Sequence, residues 1–230
     1  MVPIVAGGWQ LLLPGMRDQP ATQSPTPEQR IVLPGPRERG DVVLEEALTQ
    51  RRSVRNFAAS PLTLDMVGQL LWAAQGITAP WRGLRTAPSA GATFPLEVDV
   101  VVGEGAVVGV AAGVYRYVPA GHRLEARAAG DRREALAAAA LGQPWVGDAP
   151  ITIVISAVTA RTTARYGERG HRYVFMEAGH AGQNVLLQAE ALGLGSVPVG
   201  AFRDTQLAAI LELPREEVPL YLLPVGQPAR

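Results

Sequence analysis

The chain has no cysteine among its 230 residues. That removes disulfides, thiolate nucleophiles and cysteine metal ligands together. It has no lysine either, so all 21 basic residues are arginine. Schiff-base chemistry, pyridoxal phosphate anchoring and a phosphate-loop lysine fall away with it. The three histidines, at 122, 171 and 180, are too dispersed for a histidine metal centre, and no metal is expected. Net charge is lacking too: 21 acidic residues balance the arginines. No bulk field therefore directs the chain to nucleic acid or to an acidic membrane surface.

Long apolar runs are scarce. The opening stretch MVPIVAGGWQLLLPGM is broken by Pro3 and Pro14 and has no basic leader. It falls short of the roughly 20 apolar residues that span a bilayer. Neither a signal peptide nor a membrane helix is expected, and a cytoplasmic location follows. The GxGxxG dinucleotide fingerprint, the P-loop, HExxH and GxSxG are all missing, which leaves dinucleotide folds, zinc proteases and serine hydrolases without a signature.

What is present begins with proline. Seven of nineteen prolines lie in the first forty residues, so 1–40 reads as an extended arm or linker and 41–230 as one folded domain. Within that domain, residues 42–52 predict a helix with Val43, Leu44, Ala47 and Leu48 on one face. A second helix starts at the Thr63 N-cap, carries a Leu64, Val67, Leu70, Leu71, Ala74 stripe and stops at Gly76. Residues 77–95 read as loop. Strands are expected at 97–102, 113–119, 151–158, 196–202 and 218–226, and helices at 131–142, 173–192 and 205–213. Interleaved helices and strands around an apolar sheet give an α/β or α+β domain.

RRSVRNF, residues 51–57, gathers three guanidinium groups and a hydroxyl on one turn. Arginine at a helix C-terminus complements the macrodipole. The same donors also suit the oxygens of a phosphate, which carries about two negative charges at neutral pH. APSAGATFPLE, residues 87–97, is a loop of small residues that lets backbone approach a flat ligand. EAGHAGQN, residues 177–184, puts Glu177, His180 and Asn184 on one helical stripe beside small residues that permit close packing. GLGSVPVGAF, residues 193–202, joins a helix to a strand through permissive glycines.

In this order, with LEEALTQRRSVRNF, QLLWAAQGIT, GVYRYVP, YGERGHRYVF and PLYLLPVGQP, the segments resemble the nitroreductase-like flavoproteins. Within them they are most similar to the SagB-type dehydrogenases, from about Ile31 to Pro228. The resemblance implies an α+β sandwich with a central, mostly antiparallel sheet flanked by helices. It also implies a homodimer holding flavin mononucleotide (FMN) at its interface. By that similarity Arg51, Arg52, Ser53 and Arg55 hold the phosphate and ribityl end. Pro88, Ser89, Ala90 and Gly91 line the isoalloxazine from the partner subunit, and Val199, Gly200 and Ala201 run beside its N5 edge. Where azoline-oxidising relatives resemble one another in a Lys-Tyr pair, this chain reads Arg165-Tyr166. Arginine cannot serve as a base, while Tyr166 can relay a proton. Basic residues near the carboxyl end reach the phosphate in many relatives; here either Arg230 serves alone or that contact is missing.

The implied activity is hydride transfer through flavin N5, with NAD(P)H as donor and a small acceptor such as a nitro compound or quinone. One alternative is an azoline dehydrogenase acting on a modified peptide. An alternative of another class is a non-catalytic flavin-binding partner module in a complex.

Overall fold

Alternation of apolar side chains, period two, builds the centre of this fold. In the computed structural model, which describes residues 29–229, β4 (Leu96–Val102), β7 (Ile151–Ala157) and β9 (Val218–Gly226) lie side by side. Val98, Val100 and Val102 face one layer with Ile151, Ile153, Ile155, Leu223 and Val225, while Val101, Val154 and Leu222 face the other. Strand pleating dictates that separation. The expected arm residues 1–28 and the Arg230 phosphate contact lie outside the described residues.

Seven strands form the main sheet in the order β1-β6-β5-β4-β7-β9-β8. The remaining four are β1 (Arg30–Val32), β5 (Gly113–Val118), β6 (Arg123–Ala129) and β8 (Gly195–Ser196). Every strand pair in it is antiparallel, the expected α+β arrangement. β1 draws three residues of the proline-rich stretch into the sheet edge against β6.

One face is covered by α2 (Leu64–Gln75) and α6 (Arg169–Ala191), the other by α3 (Arg133–Ala139), α4 (Pro144–Asp148) and α7 (Asp204–Ile210). α2 starts as the sequence predicts: the Thr63 hydroxyl accepts from the Met66 amide at 3.3 Å. It ends at Gly76, where a Cβ would collide with the Trp72 ring. α6 packs closely because Gly182 lies against the Tyr221 ring, where a Cβ would come within 3.0 Å.

Several expectations need correction. α1 covers Leu44–Gln50, and of its expected apolar face only Ala47 is buried; Val43, Leu44 and Leu48 are exposed. α3 begins two residues after Asp131, whose carboxylate accepts from the Arg133 amide at 3.0 Å. The expected strand 196–202 pairs regularly only at Ser196, and Val199 makes an isolated bridge to Leu222. Pro198 has no amide to donate and interrupts the ladder. Residues 77–95 contain a hairpin, β2 (Ile77–Ala79) with β3 (Leu84–Arg85). A further helix, α5 (Ala160–Tyr166), precedes α6, which starts four residues before the expected 173.

Candidate functional site

The arginine turn leaves α1 and runs onto the end of the sheet. Ser53 bridges Ser196, and the Val54 amide donates to the Ser196 carbonyl at 3.0 Å. The approach requires Gly195, where a Cβ would lie 2.6 Å from Val54. Phe57 bridges Pro228, and the Ala229 amide donates to the Asn56 carbonyl. The turn is therefore pinned on both sides by backbone.

Its side chains divide the work. Arg52 Nη1 donates to the carbonyls of Thr49 and Arg51, both at 2.8 Å, and so caps α1. The Arg55 guanidinium lies over the Trp145 ring of α4, 5.3 Å from its centroid. Beside Trp145, the Gln143 side-chain amide donates to the Ala201 carbonyl at 2.9 Å. The structure thus brings Arg51, Arg52, Ser53 and Arg55 into one constellation with Val199, Gly200 and Ala201. Among the described residues no acidic group forms an ion pair with Arg51, Arg52 or Arg55. A Cβ on Gly200 would meet nothing within 4 Å, so that backbone borders open space. Guanidinium and hydroxyl donors without an acidic partner, next to an open backbone ledge, fit a phosphate ester with a flat ring.

Loop 88–91 belongs to a second constellation, held by α5. Ala92 (φ 53°) and Phe94 (φ 45°) stand with Gly91 (φ 59°) in the left-handed region, a costly conformation for residues with a Cβ. One face of α5 grips this segment. The Arg165 guanidinium donates to the Gly91 carbonyl at 3.0 Å, and the Thr162 and Thr93 hydroxyls share a bond of 2.8 Å. Arg161 donates to the Phe94 carbonyl at 3.0 Å and pairs with Glu97 at 2.7 Å. A Cβ on Gly91 would run into the Tyr166 hydroxyl. The candidate residues Arg165 and Tyr166 therefore meet Gly91, while Pro88, Ser89 and Ala90 face a different wall.

That wall belongs to a cavity of about 250 Å³ lined by Pro88, Ser89, Ala90, Tyr173, Met176, Glu177 and His180. Glu177 is 2% exposed, and its Oε1 has no hydrogen-bond partner. Burial pushes its carboxyl up from the ordinary value; the Ser89 hydroxyl, the Arg85 guanidinium and the Ala90 amide pull the other way. Asn184, on the same stripe, donates to the Thr86 carbonyl at 3.4 Å, whereas His180 is exposed. The stripe thus splits into a buried carboxyl, a half-buried amide that supports the loop and one exposed imidazole.

Sequence reasoning passed over Arg161, Thr162 and Trp145. Their elements, α5 and α4, carry too few apolar residues to show periodicity. A signal for Arg161 existed in its distance of four residues from Arg165, one helical turn.

A model of the nitroreductase family matches residues 48–227. A nitroreductase homologue from Methanocaldococcus jannaschii is 49% identical over 187 residues, covering 81% of this chain and 92% of its own. An FMN reductase of Bacillus subtilis that acts with NAD(P)H is 26% identical over 198 residues, covering 80% of this chain and 65% of its own. Among solved structures, a nitroreductase homologue from Ralstonia eutropha superposes with a TM-score of 0.77 at 33% identity, over 90% of this chain and 92% of that one. A chain of the Escherichia coli microcin synthetase McbBCD complex, solved with truncated pro-MccB17 bound, gives 0.71 at 25% identity over 79% of this chain and 70% of that one.

Proposed function

The chain belongs to the nitroreductase family, and from that premise we propose that it is an FMN-dependent oxidoreductase that works as a homodimer. NAD(P)H is the donor, and a quinone, nitro compound or similar small molecule is the acceptor. The observation that carries this reading is the arginine turn. Among the described residues Arg51, Ser53 and Arg55 stand without an acidic partner, and Ser196 pins their turn near the Val199–Ala201 backbone. In this reading they hold the phosphate while Arg52 closes α1 behind them. The FMN reductase among the relatives supports the choice of flavin and donor.

FMN, when bound, supplies the hydride-carrying position. The protein's own part is to place and polarise. Val199, Gly200 and Ala201 offer backbone where the ring edge rests, and small side chains keep the approach open. Loop 88–91 of the second copy would line the ring, with α5 holding it at Gly91. Apolar side chains left exposed on α1 and α6, Leu44, Leu48, Phe175 and Met176, meet that second copy.

A second reading, an azoline dehydrogenase acting on a heterocyclised peptide, is favoured by the likeness to the microcin synthetase chain and by Tyr166 at the Gly91 loop. One experiment separates the readings. The purified protein is expected to show a flavin absorbance spectrum that bleaches anaerobically with NADH or NADPH. Bleaching by azoline peptides alone would favour the second reading. A flavin that stays oxidised with every donor would indicate a binding module.

A further inference from the structure

Reducing a quinone adds hydride to the acceptor and a proton to its oxygen, so the site proposed above has to supply that proton. Arg165 cannot: a guanidinium stays charged at working pH, and this one is held by the Gly91 carbonyl. Loop 88–90 closes a cavity that holds another group able to carry a proton. Its walls are largely apolar, from Pro88, Ala90, Tyr173 and Met176, with Glu177 among them. Glu177 is nine-tenths buried and more, and its Oε1 is unpartnered. Glu177 lines this cavity, and its Oε1 is shut off from water and unpartnered, so the carboxyl can hold a proton next to what enters. Tyr173, on the same wall, stacks edge-on against Tyr166, with ring centroids 5.1 Å apart. The cavity is thereby joined to the residues around Gly91.

We propose that Glu177 is the catalytic acid of this site, giving its proton to the oxygen of a quinone-class acceptor bound against loop 88–90. This rests on the flavin reading above. The carboxyl O–H bond breaks, and a new O–H bond forms on the acceptor. Hydride equivalents for the acceptor's two-electron reduction originate from the reduced nicotinamide. The carboxylate left behind has the Arg85 guanidinium of β3 as its nearby opposite charge, and solvent then returns the proton; the exposed His180, one turn along α6, lines the same cavity. Ser89 and the Ala90 amide touch the carboxyl from the loop, and Tyr173 shares its helix. Behind Arg85 stand the charged Glu97 of β4 and Arg161 of α5, together with the neutral Tyr117 phenol of β5. Burial moves the Glu177 carboxyl up from its ordinary value, toward the proton-bearing form, against the pull of Ser89, Arg85 and the Ala90 amide.

The test uses the FMN-loaded protein and needs no physiological donor. Flavin is reduced with dithionite and mixed anaerobically with benzoquinone across a pH series, for wild type and Glu177→Gln. The variant is expected to keep its flavin content and to reoxidise on the order of 100-fold more slowly. It should also lose the fall in rate at high pH that wild type shows. In the infrared, wild type should carry a protonated-carboxyl band at neutral pH that Glu177→Gln lacks. A flavin-bearing variant with the wild-type rate and pH profile, or a wild type without that band, overturns the assignment of Glu177 alone. A protein that cannot be loaded with FMN overturns the functional reading, and this proposal with it.

Discussion

The Tyr166 hydroxyl rests where a side chain on Gly91 would begin. A Cβ built on Gly91 would collide with it and come within 2.8 Å of Arg165 Nη1. Gly91 also holds φ at 59°, so two independent constraints favour glycine there. α5 and loop 88–91 thus form one interlocked unit, and the two residues read as catalytic candidates are part of its lock.

Gly91→Ala is expected to cost about 1–3 kcal/mol in a urea titration, from backbone strain together with displacement of Tyr166. Gly40→Ala is the control. It is exposed with nothing within 4 Å of a Cβ, and should change stability by no more than about 0.5 kcal/mol. Equal effects at the two positions would contradict the interlock.

Phosphate recognition by the arginine turn predicts a difference between two ligands. Arg51→Ala and Arg55→Ala should each weaken FMN by about 1.5–3 kcal/mol, the loss of one charge-assisted bond. That corresponds to roughly 10- to 150-fold in Kd. Riboflavin, which lacks the phosphate, should bind wild type and variants alike. Arg52→Ala should lower stability more than FMN affinity, because its guanidinium caps the Thr49 and Arg51 carbonyls. Fluorescence titration with both ligands separates the outcomes.

How much of this was legible in the sequence depends on where each element gets its stability. α2 carries its own cap, stripe and stop, and β7 is a continuous apolar run, so both were readable locally. β6 was not read, although Leu124, Ala126 and Ala128 are buried on alternate positions; the arginines and Glu125 between them masked the pattern. α5 has one buried residue, Thr162, and exists through its grip on loop 91–97, a tertiary cause with no sequence period. The polar stripe on α6 looked uniform as letters. Only the fold buries Glu177 and leaves His180 outside. Arg51 to Arg55 and loop 88–91 were legible as chemistry, but their division into two constellations follows from the sheet and α5.

A second buried cluster should dominate stability. Arg116 holds the fully buried Asp99 with two bonds of 2.8 Å and Glu217 at 2.7 Å, and reaches Glu97 at 3.0 Å. Arg116→Ala leaves those carboxylates without their main partner, which should cost about 3–5 kcal/mol at neutral pH. The deficit should shrink in acid, since the buried Asp99, already pushed up by burial, can then take a proton in place of the lost charge. Chemical denaturation at neutral and acidic pH measures both.

The proposed dimer is tested on the exposed face of α6. Phe175 is 62% exposed and Met176 53%, an apolar pair that water should not keep. Phe175→Glu is expected to shift the sedimentation coefficient from dimer to monomer and to strip the flavin with it. A variant that stays dimeric and yellow would move the interface elsewhere.

Linkage gives Glu177 a signature that needs no substrate. Burial raises its folded-state value above the ordinary 4.5. Below that ordinary value the folded and unfolded chains both hold the proton, and the neutral carboxyl's contribution is complete. As pH rises from there to the folded value, the unfolded chain releases its proton first. The folded chain then binds more protons, so stability declines with pH over that window. Past the folded value the decline from this group stops. Glu177→Gln cannot titrate and should lack this slope, so its stability relative to wild type should rise from acid toward neutral pH. Parallel curves of unfolding free energy against pH for the two proteins would mean that the carboxyl is as ionised in the folded chain as in the unfolded one, and that its burial carries no electrostatic cost.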